Sequence, residues 1–391
     1  MATLLLVIIY IAFISLGLPD AVLGAGWPVI QPDLDVPYSY AGIIQMIIAG
    51  GTILSSMFSG WLIKKMGTDK LTVASVSLTA IALLGYSIAP NYLWLILLAL
   101  PLGIGAGAVD AALNSFVAEH YESRHMSWLH SFWGVGALSG PFILSYLLSH
   151  GHSWRLGYRF VGIFQIGLVV LLIVSLPVWK KVHNVPQKQE GEEDHKKNQS
   201  FNIMDVFKIK GVSFALIVYL LYCGIEASMS LWGGSYLYKV KHLNPADGAT
   251  FVSLFFAFIT IGRFLTGALT YRLTNNQMIR IGASIILLGV VLMILPLPLP
   301  ITVAGFLLVG LGCAPIYPCM LHETPARFGR DKSQSIMGYQ MAVAYIGTTI
   351  LPPFFGFVAS THFMESFPIF ILVYIGILYI SFEALVRRTK A

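Results

Sequence analysis

Charged residues are scarce in this sequence of 391 residues: only 11% are Asp, Glu, Lys or Arg, whereas 57% are hydrophobic. A soluble globular protein has about 25% charged residues, and a soluble chain of this length would need a polar shell that this composition cannot supply. The composition therefore excludes a soluble protein and predicts an integral membrane protein.

Several other features are missing. The three cysteines all lie in apolar runs, so they offer no disulfide framework. The sequence has no Walker A, HExxH or CxxC motif, which argues against an enzyme or an ATP-driven pump and predicts no cofactor or metal. The basic residues behind the net charge of +6 are scattered, and a nucleic-acid site needs them clustered. The first apolar run lacks a basic leader, so we expect it to remain as a membrane span.

Twelve apolar runs are long enough to cross a bilayer, which takes about 20 residues in a helix. They do not alternate polar and apolar residues as the strands of a membrane barrel would, so they are predicted to be helices. Their centres lie near Ser15, Ile48, Leu78, Ile104, Ala137, Gly167, Cys223, Phe256, Ile285, Leu308, Ala344 and Leu372.

The distribution of basic residues predicts the orientation. With both termini in the cytoplasm, 19 of the 24 Lys and Arg residues fall in cytoplasmic segments and only 4 in outer loops. Cytoplasmic loops of membrane proteins are enriched in Lys and Arg. The expected location is therefore the plasma membrane, with both termini on the cytoplasmic side.

A polar segment divides the chain into two halves that resemble each other. The sequence predicts a bundle of six helices over residues 1–180, a cytoplasmic linker over 181–209, and a second bundle over 210–391. Three motifs recur 207 residues apart: Gly60-x-Leu-x-x-Lys65 with Gly267-x-Leu-x-x-Arg272, Gly103-x-Gly with Gly310-x-Gly, and Gly140 with Gly347. Two pseudo-symmetric six-helix bundles are the major facilitator architecture, in which the substrate site lies between the halves.

Four ionisable residues lie well inside the predicted spans: Asp20, Asp110, Glu226 and Arg263. A charge at the bilayer centre costs at least about 2.5–3.5 kcal/mol, and such residues usually mark a proton, ion or substrate path. Asp20 and Glu226 are 206 residues apart, so each half contributes one acid at a similar place. Asp110 has no acidic counterpart, which suggests a task done by one half. The alternative for each acid is a structural carboxylate held by a neighbouring amide or hydroxyl.

Other polar and aromatic residues are candidates for the cavity between the halves. We predict that Asp20 and Asp110 handle protons and that Glu226 binds the substrate. Lys65, Arg263 and Arg272 are predicted to act in structure or gating, with a snorkelling or interhelical arginine as the alternative for Arg263. The further predicted substrate-binding residues are polar or aromatic and lie within spans: Asn114, Gln45, His130, Trp133, Gln165, Trp232 and Gln340. The alternative for each of these is a residue that only bridges or packs helices.

Several segments resemble the fucose:proton symporter family of the major facilitators. They are the acid at Asp20, "GAVDAALNSFV" around Asp110, "IGRFLTG" around Arg263, "GLGCAPIYPCM" in the tenth run and "GYQMAVAYIGTTILPPFFG" in the eleventh. The resemblance implies a proton-coupled sugar importer in which Asp20 and Asp110 handle protons and substrate. Family members carry a glutamate at the position of Asp110 and a neutral amide near Glu226, which argues against fucose itself.

The sequence therefore predicts a monomeric secondary transporter that imports a sugar or similar small polar solute with protons. A proton-coupled exporter of drugs or metabolites is the alternative, because the acids would also suit a cation. A non-transporting receptor on the same scaffold is less favoured, since it would be expected to carry a signalling domain or long tail.

Overall fold

A computed structural model describes residues 2–121, 123–183, 207–269, 271–359 and 364–389 of the chain. The described residues fold into α-helices with short connections and contain no strands. Within these described ranges, twelve helical stretches are long and apolar enough to cross a membrane. This confirms the predicted all-α architecture of twelve spans, which we number 1 to 12 in chain order.

The bounds of the helices follow the apolar runs. Spans 1 and 10 each consist of two helices, and the other spans are single helices. Span 1 is Ala2–Gly17 with Val22–Asp33, followed by Tyr40–Met66, Thr68–Tyr86, Tyr92–His120, Ser123–Ser149 and Trp154–His183 for spans 2 to 6. Spans 7 to 9 are Val212–Lys239, Pro245–Leu269 and Asn275–Ile294; span 10 is Leu299–Cys313 with Ile316–Phe328; spans 11 and 12 are Arg330–Ala359 and Phe367–Thr389.

Local chemistry explains several of the helix ends. Asn91 caps span 4 because its side chain accepts a hydrogen bond from the backbone nitrogen of Trp94 at 3.1 Å. Thr274 and Gln277 form a capping box at the start of span 9. Gly67 connects spans 2 and 3 with a φ of 84°, a conformation that costs glycine little.

The molecule has two ends, which we name by their residues. The linker end carries residues 64–70, His183 and Phe207, and the opposite end carries residues 34–39, 150–153 and 240–244. Spans 1 to 6 form one half and spans 7 to 12 the other. Most of the predicted linker over 181–209 lies outside the described residues.

Two of the three internal repeats have matching surroundings in the structure, one as a helix contact and one as an open position. A Cβ atom on Gly103 would collide with the carbonyl oxygen of Ile48, and one on Gly310 would meet the carbonyl of Phe255. Ile48 and Phe255 are themselves 207 residues apart. The same close approach therefore occurs between spans 2 and 4 and between spans 8 and 10. Gly60 and Gly267 also match, since both face open space.

The third repeat was misaligned by one helical turn. Gly347 packs on the carbonyl of Leu220, whereas Gly140 packs on the carbonyl of Leu18. The counterpart of Gly347 is instead Gly136, which packs on Ile14, 206 residues before Leu220. The sequence offset between equivalent residues of spans 5 and 11 thus differs from the offset of 207 found elsewhere. A search at a fixed offset of 207 therefore pairs the wrong glycines.

The two halves close against each other at the opposite end. The ring of Tyr38 stacks on Trp232 with centroids 6.3 Å apart, and Lys239 lies 3.6 Å from the Tyr38 ring centroid. The hydroxyls of Ser145 in span 5 and Thr250 in span 8 are 2.5 Å apart. These contacts join residues of different halves, so this end forms a closed layer.

The halves separate towards the linker end. Val22–Asp33, the part of span 1 nearer the opposite end, packs on spans 7 and 8 of the other half. By contrast, Ala2–Gly17 packs on spans 4, 5 and 6 of its own half, and Ile316–Phe328 packs on spans 7, 9 and 11 of its own half. The central space between the halves therefore opens towards the linker end.

Candidate functional site

Asp20 lies at the break in span 1, as the proline beside it predicts. Pro19 has no backbone N–H, and the chain turns there through hydrogen bonds from Asp20 N to Gly17 O (3.1 Å) and from Val22 N to Pro19 O (3.2 Å). The side chain of Asp20 is exposed, and its carboxylate accepts a hydrogen bond of 2.7 Å from the indole nitrogen of Trp133. The break thus presents a carboxylate to the central space.

Asp110 lies on span 4, where its carboxylate faces the side-chain amide of Asn114. The amide nitrogen of Asn114, one turn later, donates to the carboxylate oxygen of Asp110 at 2.9 Å and to its backbone carbonyl at 2.9 Å. Both residues are partly exposed. Gly103 and Gly107 on the same helix pack directly on the backbone of span 2, which fixes the position of this helix.

Glu226 on span 7 has partners of a different kind. The hydroxyl of Tyr222, one turn earlier, donates a short hydrogen bond to its carboxylate. Arg263 on span 8 places a guanidinium nitrogen 3.9 Å from the same carboxylate oxygen. Glu226 therefore has a cationic partner as well as a neutral donor. Both members of this ion pair are partly buried, with 23% of the Arg263 side chain and 17% of the Glu226 side chain exposed.

Arg263 and Trp133 form a contact between the two halves of the molecule at this site. The guanidinium carbon of Arg263 lies 5.8 Å from the centroid of the Trp133 ring, which belongs to span 5. Electrostatic repulsion also reaches Asp20 from the carboxylates of Asp110 and Glu226. The three acids and the arginine therefore form one group linked by charge interactions, with Asp20 and Asp110 contributed by the first half.

His130 lies one helical turn from Trp133 and is exposed. Its ring meets the ring of Phe13 edge-on, with centroids 6.0 Å apart, and it faces the positive charge of Arg263. Close to this level, Gly134 of span 5 packs on the hydroxyl of Thr260 in span 8. His130 and Arg263 thus lie beside a contact between the two halves.

Sequence reasoning missed the tyrosines of the site. The rings of Tyr222 and Tyr317 lie 6.0 Å apart, and Tyr219 meets Tyr317 edge-on at 5.3 Å. Tyr345 on span 11 lies within electrostatic reach of Asp110 and Asp20. Tyr222 lies four residues before Glu226, and this helical spacing could have identified it as a neighbour of the acid.

Three predicted substrate-binding residues lie in packed regions instead. Trp232 is completely buried, donates to the carbonyl of Pro352 at 2.7 Å and belongs to the closed layer. Gln340 is completely buried and accepts a hydrogen bond of 3.1 Å from Thr324. Gln165 is 1% exposed and bonds to span 1. Burial prevents all three from touching a solute in this conformation, so the proposed binding site omits them.

The remaining predicted residues lie at the edges of the site. Gln45 is partly exposed on span 2. Lys65 and Arg272 are exposed at the linker end, where the Lys65 nitrogen lies 4.9 Å from the Trp61 ring centroid. Within the described ranges, no group of three or more His, Cys, Asp or Glu side chains is placed to hold a metal ion.

Curated relatives of this chain include proteins named as transporters. The glucose/mannose transporter GlcP of Bacillus subtilis is 25% identical over 80% of this chain and 77% of its own length. The cis,cis-muconate transport protein of Acinetobacter baylyi is 21% identical over 65% of this chain and 62% of its own length. Both matches are long enough to include parts of both halves of the chain.

Solved structures with the same fold are also transporters. A bacterial homologue of the human lysosomal transporter Spinster, solved in an inward-facing conformation, matches with a TM-score of 0.75 at 12% identity, covering 99% of this chain and 98% of that one. The nucleoside transporter NupG matches with a TM-score of 0.73 at 13% identity, covering 97% of this chain and 98% of that one. The model of the Major Facilitator Superfamily matches residues 9–352. The chain therefore belongs to the Major Facilitator Superfamily and is a transporter, not an enzyme.

Proposed function

We propose that this protein imports a sugar, or a similar small polar solute, together with protons. It works by alternating access, in which the halves rock around a central site. The proposal combines the family membership with the charges in the cavity.

The observation that carries the proposal is the difference between the three acids. Asp20 and Asp110 each accept a hydrogen bond from a neutral donor, and no cation among the described residues lies within ion-pair distance of either. A carboxylate with only neutral donors can take up and release a proton, whereas a neighbouring cation favours the charged form of a carboxylate. Asp20 and Asp110 are therefore the proposed proton carriers, and Glu226, beside Arg263, is the proposed substrate ligand.

The surroundings of Glu226 suit a hydroxylated solute. A carboxylate accepts hydrogen bonds from hydroxyls, a guanidinium donates them, and the rings of Trp133 and Tyr317 offer apolar faces. Asn114 and His130 add polar groups on the facing half. GlcP, by its name, transports glucose and mannose. These features favour a hexose as the first solute to test.

The closed layer and the basic residues indicate to which side of the membrane the site opens. We place the linker end and both termini in the cytoplasm of a cell with the protein in its plasma membrane, because most Lys and Arg residues lie at that end. The present conformation then opens to the cytoplasm.

Lys65, Arg263 and Arg272 are the proposed gating residues. The cavity is built from one chain, so we propose that a monomer suffices.

Reconstitution tests the proposal. Purified protein in liposomes should accumulate glucose or mannose against its gradient when the outside is more acidic, and should accumulate far less without the pH gradient. A panel that includes fucose, a nucleoside and muconate would identify the solute class. Equal uptake with and without the pH gradient would contradict proton coupling, and solute-loaded liposomes that expel solute as protons enter would favour the exporter.

A further inference from the structure

We infer that Gln165 is a positioning residue that holds the break in span 1 and so sets the place of Asp20. This inference rests on the proposed role of Asp20 in handling protons. It starts from a backbone group that Pro19 leaves without its helical donor.

Pro19 lacks the N–H that would bond to the carbonyl of Ser15, four residues earlier. An unpaired carbonyl in the apolar interior of a membrane protein is costly, so it requires another donor. The side-chain nitrogen of Gln165 donates to the Ser15 carbonyl at 2.8 Å, across from span 6. Ser15 and Gln165 are 2% and 1% exposed, so water does not compete for this bond.

The other end of the Gln165 amide is also held. The hydroxyl of Thr79 on span 3 lies 2.9 Å from the amide oxygen of Gln165. Because the Ser15 carbonyl can only accept, the amide nitrogen must face span 1 and the oxygen must face Thr79. Spans 1, 3 and 6 are thereby joined at the level of the break.

Asp20 lies five residues after the anchored carbonyl, on the turn that the break creates. Its carboxylate must reach Trp133 at 2.7 Å, and Gly17 on the same turn packs directly on the backbone of Trp133 and Ala137. A shift of the helix end at Ser15 would therefore move Asp20 relative to Trp133. Gln165 is too buried to touch a solute, so it acts on the site through the backbone of span 1.

The experiment uses the full-length protein with Gln165→Leu, which keeps the bulk and removes the donor. The first readout is the fluorescence of Trp133. It is obtained for each variant by subtracting the spectrum of the same variant with Trp133→Phe added. Gln165→Leu is expected to change this signal in the same direction as Asp20→Asn. The second readout is the pH profile of uptake, which should shift by about tenfold in proton concentration, because a displaced Asp20 would lose its hydrogen bond from Trp133. The apparent solute KM should stay within about twofold, because Gln165 does not reach the cavity.

Pro19→Ala supplies the matched control, because alanine restores the backbone N–H at position 19 that can donate to the Ser15 carbonyl. In that background Gln165→Leu should no longer alter thermal stability, and if Gln165→Leu alone fails to fold, Pro19→Ala should rescue it. A failure of that rescue would overturn the inference. So would an unchanged Trp133 signal with an unchanged pH profile. If Gln165→Leu moves the Trp133 signal but Asp20→Asn leaves proton coupling intact, the positioning role stands and the proton role of Asp20 is wrong.

Discussion

The carboxylate of Glu226 lies 3.9 Å from the guanidinium of Arg263, on the next span of the same half. Asp20 and Asp110 have no such partner among the residues that the structure describes. The group of charged residues between the halves thus contains one acid with a compensating charge and two acids with neutral donors. This division separates the proposed solute ligand from the proposed proton carriers.

Glu226→Gln should weaken solute binding more than it impairs proton coupling. The change removes a charged acceptor, and losing a charge-assisted hydrogen bond costs about 1.5–3 kcal/mol, or about 10- to 150-fold in affinity. Calorimetry or tryptophan quenching on the purified protein would measure it. Glu383→Gln is the matched control, since Glu383 pairs with Arg280 at 2.5 Å, at the linker end of spans 12 and 9. Native affinity with lost proton movement would make Glu226 the coupling residue instead.

A disulfide across the closed layer should stop transport. Ser145→Cys combined with Thr250→Cys places two thiols where the hydroxyls are 2.5 Å apart, in different halves. Oxidation should reduce uptake to background because the opposite end can no longer open, and a reducing agent should restore it. Each single variant serves as the control, and the native cysteines are buried. Full uptake by the oxidised double variant would show that this end need not open.

Gly103→Ala should destabilise the protein, whereas Gly60→Ala should not. A Cβ at 103 collides with the backbone of span 2, and a Cβ at 60 meets nothing within 4 Å. Overpacking of this kind costs about 1–3 kcal/mol, and the rigid neighbour here is backbone. Thermal unfolding in detergent would compare the two. Equal melting temperatures would mean that spans 2 and 4 are packed less closely than described.

Labelling tests the orientation. Lys70→Cys lies at the linker end and His152→Cys at the opposite end, and both positions are exposed. In intact cells an impermeant thiol reagent should label His152→Cys and leave Lys70→Cys unlabelled until the cells are opened, because the basic residues favour a cytoplasmic linker end. The reverse pattern would invert the protein in the membrane.

The number of spans and the division into halves could be predicted because both depend on composition. Apolar run length gives the spans, and the polar segment after Lys181 separates the halves. The break at Pro19 could be predicted for a similar reason, since proline removes a backbone donor wherever it occurs.

The roles of individual polar side chains could not be predicted in the same way. Trp232, Gln165 and Gln340 look like cavity residues in the sequence, because a polar or aromatic residue in an apolar run has the same appearance whether it faces a cavity or a neighbouring helix. Only the packing shows that Gln165 bonds to the Ser15 carbonyl and that Trp232 closes one end. The tyrosines could not be identified from the sequence because tyrosine is common in membrane helices and does not by itself indicate a site.

Solute-induced proton movement in liposomes tests proton-coupled import most directly. With no imposed gradient, adding the transported sugar outside should make the external medium more alkaline, because protons enter with the sugar. Asp110→Asn should abolish this signal while exchange of labelled for unlabelled sugar continues, since the amide resembles the protonated acid. Asp247→Asn is the matched control, because Asp247 also accepts a bond from an asparagine, Asn244, but at the opposite end. Sugar uptake without any alkalinisation, or an unchanged signal in Asp110→Asn, would contradict the proposed coupling.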